Sequence, residues 1–243
     1  MTAAFADRTD IADALRKAPE KPPLYGRVVL GYPIGFSETE PFALSVRRVS
    51  SYEQMKPDAE RLLAGVTAAP GLYVEDNRNL LAEHTLRLGA EWNWQVDTDI
   101  EFQHYVLETM VGMAESGGLK ILAASVPIGE TYPSCGFRQA GQWQWKPVFP
   151  MPQEPTEVDA IATACVLIHR SVYETMADKF GHRWFNRITV GDKGKETVLG
   201  EDFSFCLRAR ECGFTIHCAH VAGLRHWKQM PLTHDAPWPK KGG

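Results

Sequence analysis

The 243-residue chain carries 26 Lys and Arg against 30 Asp and Glu, a formal net charge of -4 at pH 7, and is 44% hydrophobic. That length suits one domain with its own buried core, and the acidic balance excludes a basic nucleic-acid-binding surface spread over the whole chain, though not a local basic groove. No apolar run approaches the ~18 residues of a spanning helix, and the polar opening MTAAFADRTD does not have the form of a signal peptide, so the expectation is a soluble protein of the cytoplasm.

In chain order, residues 8–18 predict a short helix with Asp10 as its cap, broken by PEKPP. The run RVVLGY (27–32), ended by Pro33 and Gly35, predicts a first buried strand. Residues 38–65 are mostly helical in composition but interrupted. Leu80, Leu81 and Leu88, with Thr85 between them, form a helical stripe over 77–88, with Asp76 as cap and Gly89 as terminator. Trp92, Trp94 and Val96 alternate with Asn93, Gln95 and Asp97, which is strand period. Residues 101–115 read as a helix, 119–126 as a strand, and the Pro-, Gly- and aromatic-rich 127–156 as a long loop with a hairpin. The segment 158–168 is apolar and β-branched, 171–180 is helical, 201–212 is a helix stopped by Gly213, and 214–226 is a last strand and turn. Strands alternating with helices predict an α/β fold with a largely parallel sheet. Cys135, Cys165, Cys206, Cys212 and Cys218 are odd in number and irregular in spacing, so they read as reduced, mostly buried thiols.

Ligands of such sheets bind beyond the carboxyl ends of the strands, and Asp97 and Asp99 fall at one. Two carboxylates one residue apart can turn toward a single hard cation. The same tripeptide also fits a solvated turn. Glu201 and Asp202 open a helix, where acidic residues favour the macrodipole and where a carboxylate can serve as a general base. The dipole is expected to lower the Asp202 pKa. His217 and His220 face opposite sides of a strand, which speaks against a three-histidine zinc site. His226 follows a strand and can join the two aspartates on a metal. Arg78, at a helix start, suits an anionic ligand. Trp143 and Trp145 can stack on a sugar or base, or pack a hairpin on the domain. Walker A, G-x-G-x-x-G, G-x-S-x-G and H-E-x-x-H patterns are absent.

The order DNRN, VDTDIEF, VDAIATACVLIHRSVYE, GEDFSFCLRARECGF and a histidine after a strand resembles GT-A-type glycosyltransferases, especially the compact family-2-like versions commonly encoded by bacteriophages. The resemblance covers residues 27–228, with an N-terminal helix and linker at 1–26 and a C-terminal arm at 229–243. It implies a nucleotide-diphospho-sugar transferase fold, an α/β/α sandwich around a mostly parallel sheet. It also implies a nucleotide-sugar donor, UDP-linked, with Mn²⁺ or Mg²⁺. Carried over residue by residue, Asp97 and Asp99 would hold the metal and the donor. His226 would complete the metal shell, and Arg78 would lie on the donor side. Asp202 would be the catalytic base with Glu201 beside it, and Trp143 and Trp145 are placed on the acceptor side. The acceptor is left open between a hydroxymethylated DNA base, a glycan and a protein. A phage-encoded chain would act in the host cytoplasm. A non-catalytic nucleotide- or glycan-binding module of the same fold is the rival class, and a phosphotransferase using the two aspartates a third. The sequence departs from the family pattern where Asn93 and Gln95 interrupt an otherwise apolar strand and where Ala162 and Ala164 replace glycines.

Overall fold

Side-chain alternation along the central strands builds two cores, one on each face of a single sheet. The computed structural model describes residues 26–35, 38–128, 132–138, 145–148, 153–192, 194 and 196–227. The helix expected at 8–18 and the C-terminal arm lie outside the described residues.

The chain runs β1 (Val28–Ile34), α1 (Glu40–Met55), β2 (Leu63–Pro70), α2 (Val74–Leu88), β3 (Trp92–Val96), β4 (Ile100–Phe102), α3 (Val106–Ser116) and β5 (Ile121–Ala124). Six short strands follow: β6 (Pro127–Ile128), β7 (Tyr132–Pro133), β8 (Cys135–Arg138), β9 (Trp145–Pro147), β10 (Thr156–Val158) and β11 (Ala160–Ile161). The remainder is β12 (Cys165–His169), α4 (Arg170–Phe180), β13 (Ile188–Val190), β14 (Thr197–Leu199), α5 (Glu201–Glu211), β15 (Ile216–Ala219) and β16 (Leu224–His226).

The seven-stranded sheet has the order β10-β15-β5-β12-β3-β1-β2. Strands β2, β1, β3, β5 and β15 share one direction, while β12 and β10 oppose them. Trp92, Trp94 and Val96 of β3, Leu122 and Ala124 of β5, and Cys165 and Leu167 of β12 point to one face, where they meet Phe42 of α1 and Val106 and Met110 of α3. The intervening Ile121, Ala123, Val166 and Ile168 point to the other, where α4 and α5 supply Val172, Tyr173, Met176, Phe205 and Cys206. Both layers are therefore closed by helices, the α/β/α sandwich. Truncating a ring such as Trp94, which is fully buried, costs about 3–5 kcal/mol. The five cysteines are free thiols, all buried except the half-buried Cys212. No described helix is long and apolar enough to cross a membrane.

Several local expectations are corrected. The helical reading of 38–65 ends at Met55, because Pro57 forces Lys56 into an extended conformation (φ -78°, ψ 154°), and 63–70 is an edge strand. Helix α2 begins at Val74, so Asp76 lies inside its first turn rather than capping it; the N-cap position is Tyr73, which makes no side-chain cap bond. Gly89 ends the helix in the left-handed conformation (φ 71°) as expected. The helix expected from 101 starts at Val106, because residues 100–102 pair with β16 across the fold. Within 127–156 the strands pair as two antiparallel couples, β6 with β7 and β8 with β9, and β13 and β14 form a further hairpin.

Candidate active site

The site forms where β1 and β3 end. Past β3 the chain turns sharply: Asp97 N–H donates to Ala164 O at 2.8 Å and Ile100 N–H to Asp97 O at 3.1 Å. Thr39, the N-cap of α1, grips the turn through its N–H and hydroxyl, which reach Thr98 O at 3.0 and 2.9 Å. Asp97, Thr98 and Asp99 thereby line a pocket of about 250 Å³ together with Gly71, Leu72 and Asn77. Gly71 N–H donates to Ile34 O at 3.2 Å, and Asn77 Nδ2 donates to Gly71 O at 3.2 Å. A Cβ at position 71 would meet Asn77 Oδ1, so a larger residue there would displace the Asn77 side chain from the pocket wall.

His226 reaches the same turn from the far end of the chain. Strand β16 pairs antiparallel with β4, His226 opposite Ile100. The approach uses Gly223 at φ 91°, whose carbonyl accepts from Gln103 N–H at 3.0 Å. Trp227 N–H donates to Asp99 O at 2.8 Å, and His226 Nε2 lies 3.0 Å from Asp99 Oδ2. The structure thus joins His226 to one of the two aspartates.

Arg78 projects from α2 into the seam between the turn and α5, and its side chain is 2% exposed. Nη2 donates to Asp97 Oδ1 at 2.8 Å and Nη1 to Gln95 Oε1 at 3.3 Å. Nε has no hydrogen-bond partner and stands 4.0 Å from Asp202 Oδ1. Burial alone would lower its pKa; Asp97, Asp202 and Glu201 overcome that and hold it above the usual arginine value.

Asp202 sits in the first turn of α5 and accepts the hydroxyl proton of Thr163. Burial pushes its carboxyl up to about 6; Arg78 and Thr163 pull the other way, and Glu201 reinforces the rise. The lowering expected from the helix N-terminus is not found: the carboxyl is raised, chiefly by desolvation of a side chain left 24% exposed. At neutral pH the group is still mostly ionised, yet it holds a proton far more readily than a surface aspartate, which suits proton exchange with a hydroxyl.

Asp97, Asp99, His226, Arg78, Asp202 and Glu201, singled out from the sequence, gather at one end of the sheet; Thr163 and the supports of Arg78 were not among them. Asn93 and Gln95 face α2 and α4 rather than solvent, and both are fully buried. Gln95 Nε2 donates to Asn93 Oδ1 at 2.8 Å, and the Tyr173 hydroxyl donates to the same oxygen at 3.0 Å. Two amides in an otherwise apolar strand were the available sequence clue. Trp143 and the side chain of Trp145 lie outside the described residues.

Among the described residues no group of three or more His, Cys, Asp or Glu side chains is arranged to hold a metal ion. The donor chemistry nevertheless fits a hard divalent cation: Asp97 and Asp99 open onto one pocket, are 31% and 35% exposed, and have an imidazole alongside.

The architecture is a GT-A-like fold. Among solved structures the chain is similar to A197 from STIV, with 12% identity, a TM-score of 0.56 and coverage of 84% of this chain and 86% of that one. It is also similar to GalNAc-T7 crystallised with UDP, GalNAc and Mn²⁺, with 12% identity, a TM-score of 0.53 and coverage of 82% of this chain but 43% of that one. In sequence it matches no protein-family model and no curated protein.

Proposed function

We propose that the chain is a metal-dependent glycosyltransferase that moves a sugar from a nucleotide-sugar donor, UDP-linked, to an acceptor hydroxyl. The observation that carries this reading is the convergence of a carboxylate pair, a buried arginine and a desolvated carboxylate, Asp202, at the carboxyl end of the strands in a GT-A-like fold. The crystallisation of GalNAc-T7 with UDP and Mn²⁺ supports the donor and metal classes by analogy.

Asp97, Asp99 and His226 would hold Mn²⁺ or Mg²⁺, which when bound supplies Lewis-acid neutralisation of the charge developing on the nucleoside diphosphate. The pocket beside Asp97 takes the donor. Arg78, buried and permanently cationic, orients Asp97 and adds positive potential on the donor side. Asp202 accepts the proton of the acceptor hydroxyl as the new glycosidic bond forms, with Thr163 fixing its orientation and Glu201 beside it. Trp143 and Trp145 are assigned to the acceptor side from the sequence. The acceptor class stays open between a modified DNA base, a glycan and a protein.

Incubation of the full chain with Mn²⁺ and a panel of UDP- and GDP-sugars tests the reading. Slow hydrolysis of one donor, releasing UDP or GDP and abolished by EDTA, is expected. Binding of a donor with neither transfer nor hydrolysis would replace the enzyme by a binding module.

A further inference from the structure

A buried polar cluster behind the site has no role in the chemistry just described. Tyr173 of α4 and Asn93 and Gln95 of β3 are fully buried, and together they lead to Arg78. Asn93 Nδ2 points to Val29 O at 3.4 Å. Its Oδ1 accepts from Tyr173 and from Gln95, at 3.0 and 2.8 Å. Gln95 Nε2 also lies 3.3 Å from the Tyr173 hydroxyl and 3.4 Å from Arg78 O. With its nitrogen so engaged, Gln95 must aim Oε1 at Arg78 Nη1, at 3.3 Å. Turning the amide over would set donor against donor and acceptor against acceptor in a dry seam, which is costly. Tyr173 is itself fixed: its ring stands edge-on to Trp184 at 5.4 Å, and Trp184 Nε1 donates to Tyr173 O at 2.8 Å.

Arg78 has two carboxylates to choose between. It bonds Asp97 directly, whereas its unpartnered Nε stops 4.0 Å short of Asp202. A buried guanidinium with a spare donor would close that gap unless something held it. We propose that Tyr173, acting through Asn93 and Gln95, is a positioning residue that holds Arg78 on Asp97 and off Asp202, leaving the Asp202 carboxylate without a direct guanidinium bond. The proposal rests on the glycosyltransferase reading for its consequence, a base that still takes a proton, but its geometric content stands apart from it. The groups facing Asp202 are Arg78 of α2, Asp97 after β3, Thr163 before β12, and Glu201 and Cys206 of its own helix. Of these, the cluster touches only Arg78 directly.

The test uses the full chain labelled with ¹³Cγ-aspartate, titrated by NMR without donor or metal, with the Asp202 resonance assigned by its loss in Asp202→Asn. Release of the cluster lets Arg78 close on Asp202, so the Asp202 midpoint should fall by about one pH unit in Gln95→Leu and by less in Tyr173→Phe, an adjacent cation favouring the carboxylate. In turnover, kcat should fall about tenfold through the weakened base, and calorimetric donor affinity should fall with it, because Arg78 no longer orients Asp97. A merely structural cluster would lower Tm and leave the midpoint in place. An unchanged or raised midpoint in both variants, each still folded, overturns the proposal. If Gln95→Leu does not fold, Tyr173→Phe decides alone, because it removes one oxygen and keeps the ring. A fallen midpoint in a protein that hydrolyses no sugar nucleotide upholds the placement of Arg78 and removes the glycosyltransferase reading instead.

Discussion

Asp99 and His226, 127 positions apart in sequence, meet at 3.0 Å between Oδ2 and Nε2. The contact depends on β16 pairing with β4, so the last strand closes the site opened by the third. His226→Ala should weaken Mn²⁺ affinity about 10- to 100-fold, the usual effect of losing one ligand or its support. Titration calorimetry with MnCl₂ checks this; an affinity equal to wild type would remove His226 from the metal shell.

The Asp202 carboxyl, raised to about 6, should set the acid limb of the rate profile. Below that pH the base is protonated, so turnover falls by about tenfold per pH unit. Asp202→Asn should lose at least ~10²-fold in rate with donor affinity retained.

The same shift has a stability consequence of opposite sign. The folded carboxyl sits above its ordinary value of 3.8, so the native state binds this proton more tightly than the unfolded chain. Ionised Asp202 therefore weakens the fold: not below pH ~3.8, increasingly up to ~6, and fully above that, by up to about 3 kcal/mol. Asp202→Asn should raise Tm at pH 8, and the gain should vanish near pH 3.5. Equal melting of the two proteins at pH 8 would contradict the desolvated environment.

Thr163 donates to Asp202 and is fully buried. Thr163→Val keeps the shape and removes that donor, which favours the protonated acid, so the acid limb should move to higher pH. This is opposite in direction to the change expected on releasing Arg78. The lost hydrogen bond should cost about 1–3 kcal/mol in denaturant unfolding.

Arg78→Met should destabilise by about 1–3 kcal/mol, because it removes the charged hydrogen-bond partner of Asp97 and the cation beside Asp202, whose side chains, 31% and 24% exposed, water compensates in part. Urea unfolding measures it; a loss below about 1 kcal/mol would mean that Arg78 is more hydrated than its 2% exposure indicates.

Local physics made part of this legible. Strand β3 and helix α5 follow from period and from Gly213, which adopts a positive φ of 85° at the end of the helix. The acidic turn after β3 was readable because its residues are contiguous. Strands β2 and β4 were not, since each is held by a partner distant in sequence: β2 by β1, and β4 by β16. Asn93 and Gln95 were visible as exceptions, but what satisfies them, Tyr173 and Arg78, lies on helices before and after the strand and emerges only when α2 and α4 pack on one face. The direction of the Asp202 shift was not legible for a similar reason: the helix end is local, whereas the burial that raises the carboxyl is tertiary.

The central claim is that Asp202 deprotonates an acceptor while Asp97 and Asp99 hold the donor through a divalent cation. The most direct measurement is single-turnover release of UDP from a UDP-sugar in Mn²⁺, run on wild type, Asp99→Ala and Asp202→Asn, with donor affinity measured calorimetrically on each. The account predicts release in wild type, loss of both donor binding and release in Asp99→Ala, and loss of release with binding retained in Asp202→Asn. Wild-type release by Asp202→Asn, or donor affinity in Asp99→Ala that is unchanged and indifferent to EDTA, would contradict it.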